Sequence, residues 1–517
     1  ELDELRTALT TGHDMNMAES EIKSEEDTAQ CKVLIIGAGM AGLSAANHLL
    51  KNSESEFLIV EARGRIGGRI VATKVGDEKV ELGANWIHGV LGNPMFELAM
   101  AHGLIDIICM PKPHKVVAAM EDGKQLPFPI LQEIYEAYVC FLRRCEEYFL
   151  SAYSPPDGIN SVGAHVALEA EIYLSSLPAD QRKVRQLLFD CLLKRETCIT
   201  GCDSMEDVDL LEMGSYAELQ GGNVSLPDGY SAILEPVAKH IPKNRILTKH
   251  VVTKIRYYKI DRFEVECESG KKILADQVIC TLPLGVLKTK CKELFEPALP
   301  SYKLEAIDRL MFGTVDKIFL EYERPFLNPG VSEVMLLWDD RGLTDEERQD
   351  LGKSWYRKIY SFTKISDTLL LGWISGKAAE YMEQLPTNEV VDACTMILRK
   401  FLNDPFVPSP KHCLRTSWHS QPYTRGSYTA MAVGASQLDI ESIAEPLSRE
   451  NDSKVIIAFA GEHTHSSFYS TVHGAYLTGR TAAQVLLESR ENEKHPLSLS
   501  CEDTNDLSSW IQGISLN

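Results

Sequence analysis

No apolar run in the chain approaches the roughly 18–20 residues that a membrane-spanning helix needs. Residues 1–30 are polar and acidic, without the apolar centre of a secretory signal peptide. The closing Ser515, Leu516 and Asn517 do not spell a peroxisomal S-K-L ending. These absences set the expectation of a soluble cytoplasmic protein free of membrane, with the nucleus as a second location. Paired C-x-x-C spacing is also missing. The thirteen cysteines are scattered, and Cys198 and Cys202 come nearest to a cluster without a second ligand pair. No metal is therefore expected, and free thiols in a reducing compartment are. Positive charge is in deficit, 53 Lys and Arg against 74 Asp and Glu, for a net −21. A phosphate backbone demands a basic surface, so nucleic acid is excluded as a partner. The same balance permits a cationic ligand, although surface charges are screened beyond about 8–10 Å. No repeat of solenoid period is present.

What is present is concentrated in residues 33–69. Val33 to Ile36 are of buried-strand type, Gly37, Gly39 and Gly42 follow as G-x-G-x-x-G, and Leu43 to Leu50 carry apolar residues at helical spacing. A glycine triplet between strand and helix is where a dinucleotide fold requires it. Gly37 serves the tight turn, Gly39 lets backbone approach a pyrophosphate, and Gly42 lets helix and strand pack closely. The helix N-terminus adds free N–H groups and a partial positive charge. A second strand, Phe57 to Val60, delivers Glu61 24 residues after Gly37, where an acid binds two ribose hydroxyls and repels a 2′-phosphate. Arg63-Gly-Arg-Ile-Gly-Gly-Arg69 then puts another phosphate-facing turn just past the acid, as if a longer cofactor ran across the domain.

With 517 residues the chain is too long for one core. The pattern predicts an α/β fold of two domains. A discontinuous Rossmann-like nucleotide-binding domain takes residues 31–110, 222–300 and 415–490, and a mixed-sheet plus helices substrate domain takes 111–221 and 301–414. Residues 1–30 read as a flexible leader containing Met15 and Met17, and 491–517 as a polar tail. Apolar residues at three- and four-residue intervals predict helices over Leu131 to Leu150, Gln181 to Leu193 and about 387–402. Leu226 to Tyr230 introduces a further helix. Arg245 to Tyr258 and Phe263 to Cys267 read as strands, and Val278 to Leu287 as a strand returning to the nucleotide-binding sheet. Residues 313–322 and 355–375 alternate as in an antiparallel sheet. Val455 to Ala460, Gly461-Glu462 and a helix over Val472 to Glu488 form a second strand, glycine and helix N-terminus, another place for a phosphate or a ring edge.

Four ordered stretches resemble the amine oxidase family of flavoproteins, and the likeness spans about 31–488. They are the opening fingerprint with its E-A-R-x-R-x-G-G-R continuation, Glu81 to Gly89, Phe312 to Lys317, and Trp418 to Tyr428 with Gly461 to Gly474. Within that family the chain is similar to the polyamine and spermine oxidase branch. The resemblance implies FAD. On spacing alone Lys317 is a solvated strand lysine and His88 a structural histidine; the resemblance makes Lys317 the lysine held through a water to the flavin N5, and His88 an active-site histidine. Ser427 stands where monoamine oxidases bond a cysteine to the flavin, which implies a non-covalent cofactor. Of the two tyrosines that sandwich a monoamine, only Tyr428 has a counterpart, the other position being Thr471, so the opened cage suits a long flexible amine.

The same resemblance assigns Glu61 to the ribose and Arg69 to the phosphate region. Gly83, Ala84, Asn85 and Trp86 line the flavin, with Trp86 also beside substrate. Val252 meets the adenine end through its backbone. Glu462, Thr471 and Val472 meet the ribityl chain and flavin edge, and Trp418 forms a flavin-side wall. Glu196 takes a distal ammonium, while Asp203, Glu206, Asp207 and Asp209 read as a solvated face. The implied reaction is oxidation by oxygen of a polyamine, spermine or its N1-acetylated relatives, at a secondary nitrogen, in a monomer or weak homodimer. The competing expectations are a histone lysine demethylase and a flavin-bound interaction module without turnover.

Overall fold

The computed structural model describes residues 28–105, 114–150, 153–257, 262–448 and 454–494. Most of the expected leader and tail, Tyr258 and the stretch 106–113 lie outside the described residues. Two sheets organise the rest. The larger, nine-stranded sheet has the parallel strands Lys272–Cys280, Thr28–Ile36, Phe57–Glu61 and Ile246–Thr248 side by side. These strands carry near-continuous apolar runs because helices cover them. The nine-residue strand Lys272–Cys280 is shared: its first half pairs antiparallel with Phe263–Cys267, and its second half receives Val455–Phe459 in parallel. Early, middle and late parts of the chain thereby meet in one sheet.

The helix Met40–Lys51 follows the first strand, and the final helix, Val472–Lys494, lies against it. Gly479 makes that approach possible, since a Cβ there would stand 2.0 Å from the Ala41 carbonyl oxygen. The smaller, six-stranded sheet runs in the order His412–Arg415, Val315–Glu321, Leu369–Ser375, Ser361–Ser366, Glu333–Leu337, Val116–Met120. One face packs on the helices Phe128–Leu150, Val162–Ser175 and Ala179–Thr200 through Val315, Met335, Leu337 and Tyr360. The other packs on Gly376–Gln384 and Thr387–Phe401 through Ile318, Leu320, Leu336, Phe362 and Ile374. Alternation along each strand therefore feeds two cores.

Three expected strands are broken. The run Val278 to Leu287 is strand only to Cys280, and after Pro283, whose fixed φ suits a helix start, Leu284–Leu294 is helix. The run from Arg245 splits into Ile246–Thr248, beside Phe57–Glu61, and Val252–Arg256, beside Phe263–Cys267. Lys249, at φ 60°, makes the corner, and its N–H and that of His250 bond to the carbonyls of Arg63 and Glu61. Periodicity carries no sign of such a left-handed residue when it is not glycine. Residues 355–358 form a short 3-10 turn ahead of the strand, because Trp355 is drawn into the core and Arg357 into ion pairs with Asp340 and Glu121.

Among the described residues no helix is long and apolar enough to cross a membrane, and no group of His, Cys, Asp and Glu could hold a metal ion. The eleven described cysteines are free thiols, most of them buried.

Candidate active site

A cavity of about 1650 Å³ begins at the fingerprint turn and ends between the helices Phe128–Leu150 and Ala179–Thr200. At its first end the glycines divide their work by geometry. A Cβ on Gly42 would lie 1.9 Å from the Gly37 carbonyl oxygen, so this position is a helix-to-strand contact. Gly37 sits at φ 107°, where L side chains are strained. Gly39 faces open space, with nothing within 4 Å of a Cβ built there. It is also the N-cap of its helix and supplies no side-chain cap, leaving the first turn of N–H groups open to a ligand. Glu61 is buried, and its carboxylate accepts the N–H of Ala38 at 2.9 Å and of Arg63 at 2.8 Å. Arg63 lies over Tyr423, and one of its guanidinium nitrogens is buried without an acceptor among the described residues. An open glycine, an uncapped helix end and an unanswered guanidinium on one cavity wall fit a bound pyrophosphate. His250, Val251 and Val252 continue that wall.

Arg69 is committed elsewhere. Its guanidinium donates to the Ser427 carbonyl at 2.8 Å and to the Glu462 carboxylate at 2.9 Å, beside the Phe312 ring. Glu462 also accepts from Thr429 Oγ1 at 3.1 Å and Ser470 N at 2.9 Å. Arg69 and these donors hold the buried carboxyl below its ordinary range, against the pull of burial. Both side chains line the cavity, but the pair works first as a rivet between the opening turn and the late segments. Glu462→Ala would leave Arg69 and the other donors unanswered, and we expect a loss of about 3–5 kcal/mol, measurable as a lowered urea midpoint.

In mid-cavity, Lys317 comes from the strand Val315–Glu321 and is 3% exposed. Its ammonium donates to the carbonyls of Glu81 at 2.8 Å and Gly83 at 2.7 Å and to Asn85 Oδ1 at 3.1 Å. Burial brings its pKa down to about 7, with Glu81 opposing. Register places Trp373 opposite Lys317, and the ammonium lies 4.9 Å from that ring. Trp86, 41% exposed, stacks on Trp373 at 5.9 Å. The same face continues through Leu371, Thr363 and Glu333, all cavity walls, and Glu333 pairs with His114 at 3.4 Å.

His88 also lines the cavity; its Nδ1 bonds to Asn223 Oδ1 at 2.9 Å across the short pairing of Ile87–His88 with Asn223–Val224. His473, close to His88, is pushed down to about 4 by burial and is a neutral ring. Trp418 donates to the Leu82 carbonyl at 3.2 Å and stands against Gly83, with Ala84 and Asn85 next along the wall. The Ser427 hydroxyl both accepts from Val315 N at 2.9 Å and donates to Val315 O at 3.0 Å, so it is engaged with the strand that carries Lys317. Tyr428 is partly buried and donates to the Cys198 carbonyl at 2.5 Å, which ties the late segment to the end of the helix Ala179–Thr200. The Thr471 hydroxyl is spent on local bonds, accepting from Gly474 N at 2.9 Å and donating to Phe468 O at 2.6 Å ahead of Val472, the first residue of the last helix.

At the far end Glu196 is buried, with its carboxyl raised by burial and bonded by Tyr138 at 3.2 Å. Glu146, Glu212 and Glu218 join it on the cavity wall, and the carboxyls of Glu146 and Glu212 are likewise raised by burial. Of the acids expected to be a solvated face, Asp203, Glu206, Asp207 and Asp209 are absent from the cavity wall. Sequence reasoning missed Trp373, Glu146, Glu212 and Glu218. Trp373 was findable from strand alternation combined with cross-strand register to Lys317. The acids carry no local signal, since they share helices and turns with many exposed ones.

The flavin-containing amine oxidoreductase family model matches residues 40–487. The chain belongs to that family. It is an oxidoreductase that uses FAD, and the open glycine, helix N-terminus and Arg63 described above fit that cofactor. The chain is 33% identical over 486 residues to the human peroxisomal N(1)-acetyl-spermine/spermidine oxidase, covering 88% of this chain and 94% of that protein. It is 28% identical over 533 residues to probable polyamine oxidase 5 of Arabidopsis thaliana, covering 89% and 98%. Among solved structures, a putrescine oxidase double mutant redesigned at its cofactor site aligns with TM-score 0.62 over 89% of this chain and 100% of that one. At 17% identity that likeness concerns the fold.

Proposed function

We propose that the protein oxidises a polyamine, spermine or its N1-acetylated relatives, at a secondary nitrogen, giving an aminoaldehyde, a shorter amine and hydrogen peroxide. The observation that carries this reading is the continuity of one cavity from the fingerprint glycines, past Lys317 and the Trp86–Trp373 pair, to the buried Glu196 and the more exposed acids that share its wall. A long polycation matches a passage with an aromatic waist and carboxyl groups beyond it. The names of the relatives support the substrate class.

Bound FAD supplies the two-electron acceptor, and oxygen restores it with release of peroxide. The chain's residues do the rest. Trp86 and Trp373 confine the methylene chain and exclude water. His88 offers a ring nitrogen to the reacting amine while Asn223 holds the other. Lys317, with its three donors on Glu81 O, Gly83 O and Asn85 Oδ1, sets a buried positive charge beside the reacting centre. Glu196 receives a distal ammonium, and that charge favours its ionised form, relieving the cost of its burial. The substrate carbon next to nitrogen gives up a hydride equivalent, water adds to the substrate imine, and the C–N bond then breaks. The leaving hydride needs a neutral nitrogen, so reduction should accelerate as pH rises through the substrate amine's pKa.

The test is anaerobic bleaching of the bound flavin by spermine, N1-acetylspermine, spermidine and benzylamine, with aldehydes identified. Bleaching by one or more polyamines and not by benzylamine is expected. Bleaching by a methyl-lysine peptide alone would move the function to demethylation, and silence towards every amine would leave a flavin-bound module.

A further inference from the structure

The smaller sheet carries the cavity wall well past Lys317. Lys317 stands opposite Trp373; two residues along that strand Leu371 stands opposite Thr363, and Thr363 opposite Glu333. All five line the cavity. Three strand spacings and one two-residue step separate the Lys317 and Glu333 backbones, about 16 Å in all. Between them the wall is the Trp373 ring with Trp86 stacked on it, then Leu371 and Thr363.

Glu196 lies the other way. Its neighbour Thr197 bonds through Oγ1 to Ser375 Oγ at 2.8 Å, which seats that helix turn over the strand two residues past Trp373. Glu333 is level with Leu371, two residues before Trp373. The aromatic waist therefore has a carboxyl group on each side. The Glu333 side chain is 18% exposed, and its ion pair among the described residues is with His114 Nε2 at 3.4 Å. His114 is 57% exposed and so meets the carboxylate from the solvent side, where water competes for the imidazole. A carboxylate held that loosely on a cavity wall can take a second cation.

We infer that Glu333 is a second ammonium subsite, so that a substrate lies across the Trp86–Trp373 pair with one cationic nitrogen at Glu196 and another at Glu333. The subsite takes a primary ammonium at the end of an alkyl chain. It selects an amine that is free at that end over one acylated there, because an amide nitrogen carries no charge. The tryptophan faces cover the methylenes between and attract an ammonium passing over them. This subsite rests on the proposed amine oxidation for its place in a reaction, and on the wall geometry alone for binding.

The test is calorimetric titration of the FAD-loaded protein with a straight twelve-carbon diamine and with the matching amino alcohol, which differ only in the charge at one end. The parent protein should prefer the diamine by about tenfold or more, the worth of one charge-assisted contact. Glu333→Gln keeps the volume and removes the charge, and should bring that preference to within about twofold. Its FAD affinity and melting temperature should stay those of the parent, and Glu333→Asp should retain part of the preference. With spermine, Glu333→Gln should raise KM and leave kcat in place. A parent protein that binds the two compounds alike, or a Glu333→Gln that keeps the preference, would overturn the inference. Should no amine bleach the parent's flavin, the proposed function fails while the titrations still decide this subsite. Should spermine bleach it and the titrations show no preference, the function stands and the subsite does not.

Discussion

Replacing Lys317 with Met is expected to leave yellow, folded protein whose turnover with its amine falls by about 100-fold or more, the range over which a positioned proton donor acts. Met fills the same volume on a strand whose backbone bonds are unchanged, so the flavin should stay bound. What is lost is a charge and three donors: Glu81 O, Gly83 O and Asn85 Oδ1 lose their shared partner. The pH dependence separates the lysine from its surroundings. Its pKa, about 7, is depressed by burial, so the ammonium predominates below that pH and the neutral amine above it. On the proposed function Lys317 would set a positive charge near bound FAD, and such a charge favours reaction with oxygen, so reoxidation in the parent protein should slow as pH rises through about 7. Reduction by amine should run the other way, governed by the substrate's nitrogen. Stopped-flow traces of the two half-reactions check this. In Lys317→Met the inflection near neutrality should vanish from reoxidation, and a persistent inflection would assign it to another group.

The parts of this site that were legible in the sequence are those whose chemistry is local. Gly37, Gly39 and Gly42 are read from a strand on one side and a helix on the other, and the fold places them there because the same eight or so residues define the turn. The helices Phe128–Leu150, Ala179–Thr200 and Thr387–Phe401 were legible from period; the first begins three residues before Leu131, the second runs on from Leu193 to Thr200, and the third matches its expected range to within a residue. Lys317 was not legible in that way. Its neighbours make it an ordinary strand lysine, and its burial depends on Glu81, Gly83 and Asn85, more than two hundred residues earlier. Family resemblance supplied what periodicity could not. Glu462 shows the converse limit: resemblance pointed to cofactor contact, while the carboxylate itself is taken up by Arg69, Thr429 and Ser470.

Gly42→Ala and Gly39→Ala should separate two causes of cofactor loss that a sequence motif treats alike. A methyl at 42 would stand 1.9 Å from the Gly37 carbonyl oxygen and 3.2 Å from an Ile35 methyl carbon, and both are held by the central parallel strand. The helix must then move off the sheet by an ångström or more, carrying the first-turn N–H groups away from the pyrophosphate. A displacement of about 1 Å is enough to cost on the order of 100-fold, so FAD binding should fall at least that far. The final helix packs on the displaced one through Gly479, so the apoprotein should also unfold at lower temperature. At 39 the outcome differs: nothing lies within 4 Å of the added methyl, and the residue sits in an extended conformation at φ −76° that alanine adopts freely. The apoprotein should keep its melting temperature, while the methyl occupies the space the phosphates need and FAD affinity drops. Fluorescence titration with FAD and thermal unfolding of both apoproteins measure the two effects. Equal melting temperatures for the parent and both variants would mean that Gly42 does not set the helix-to-strand spacing.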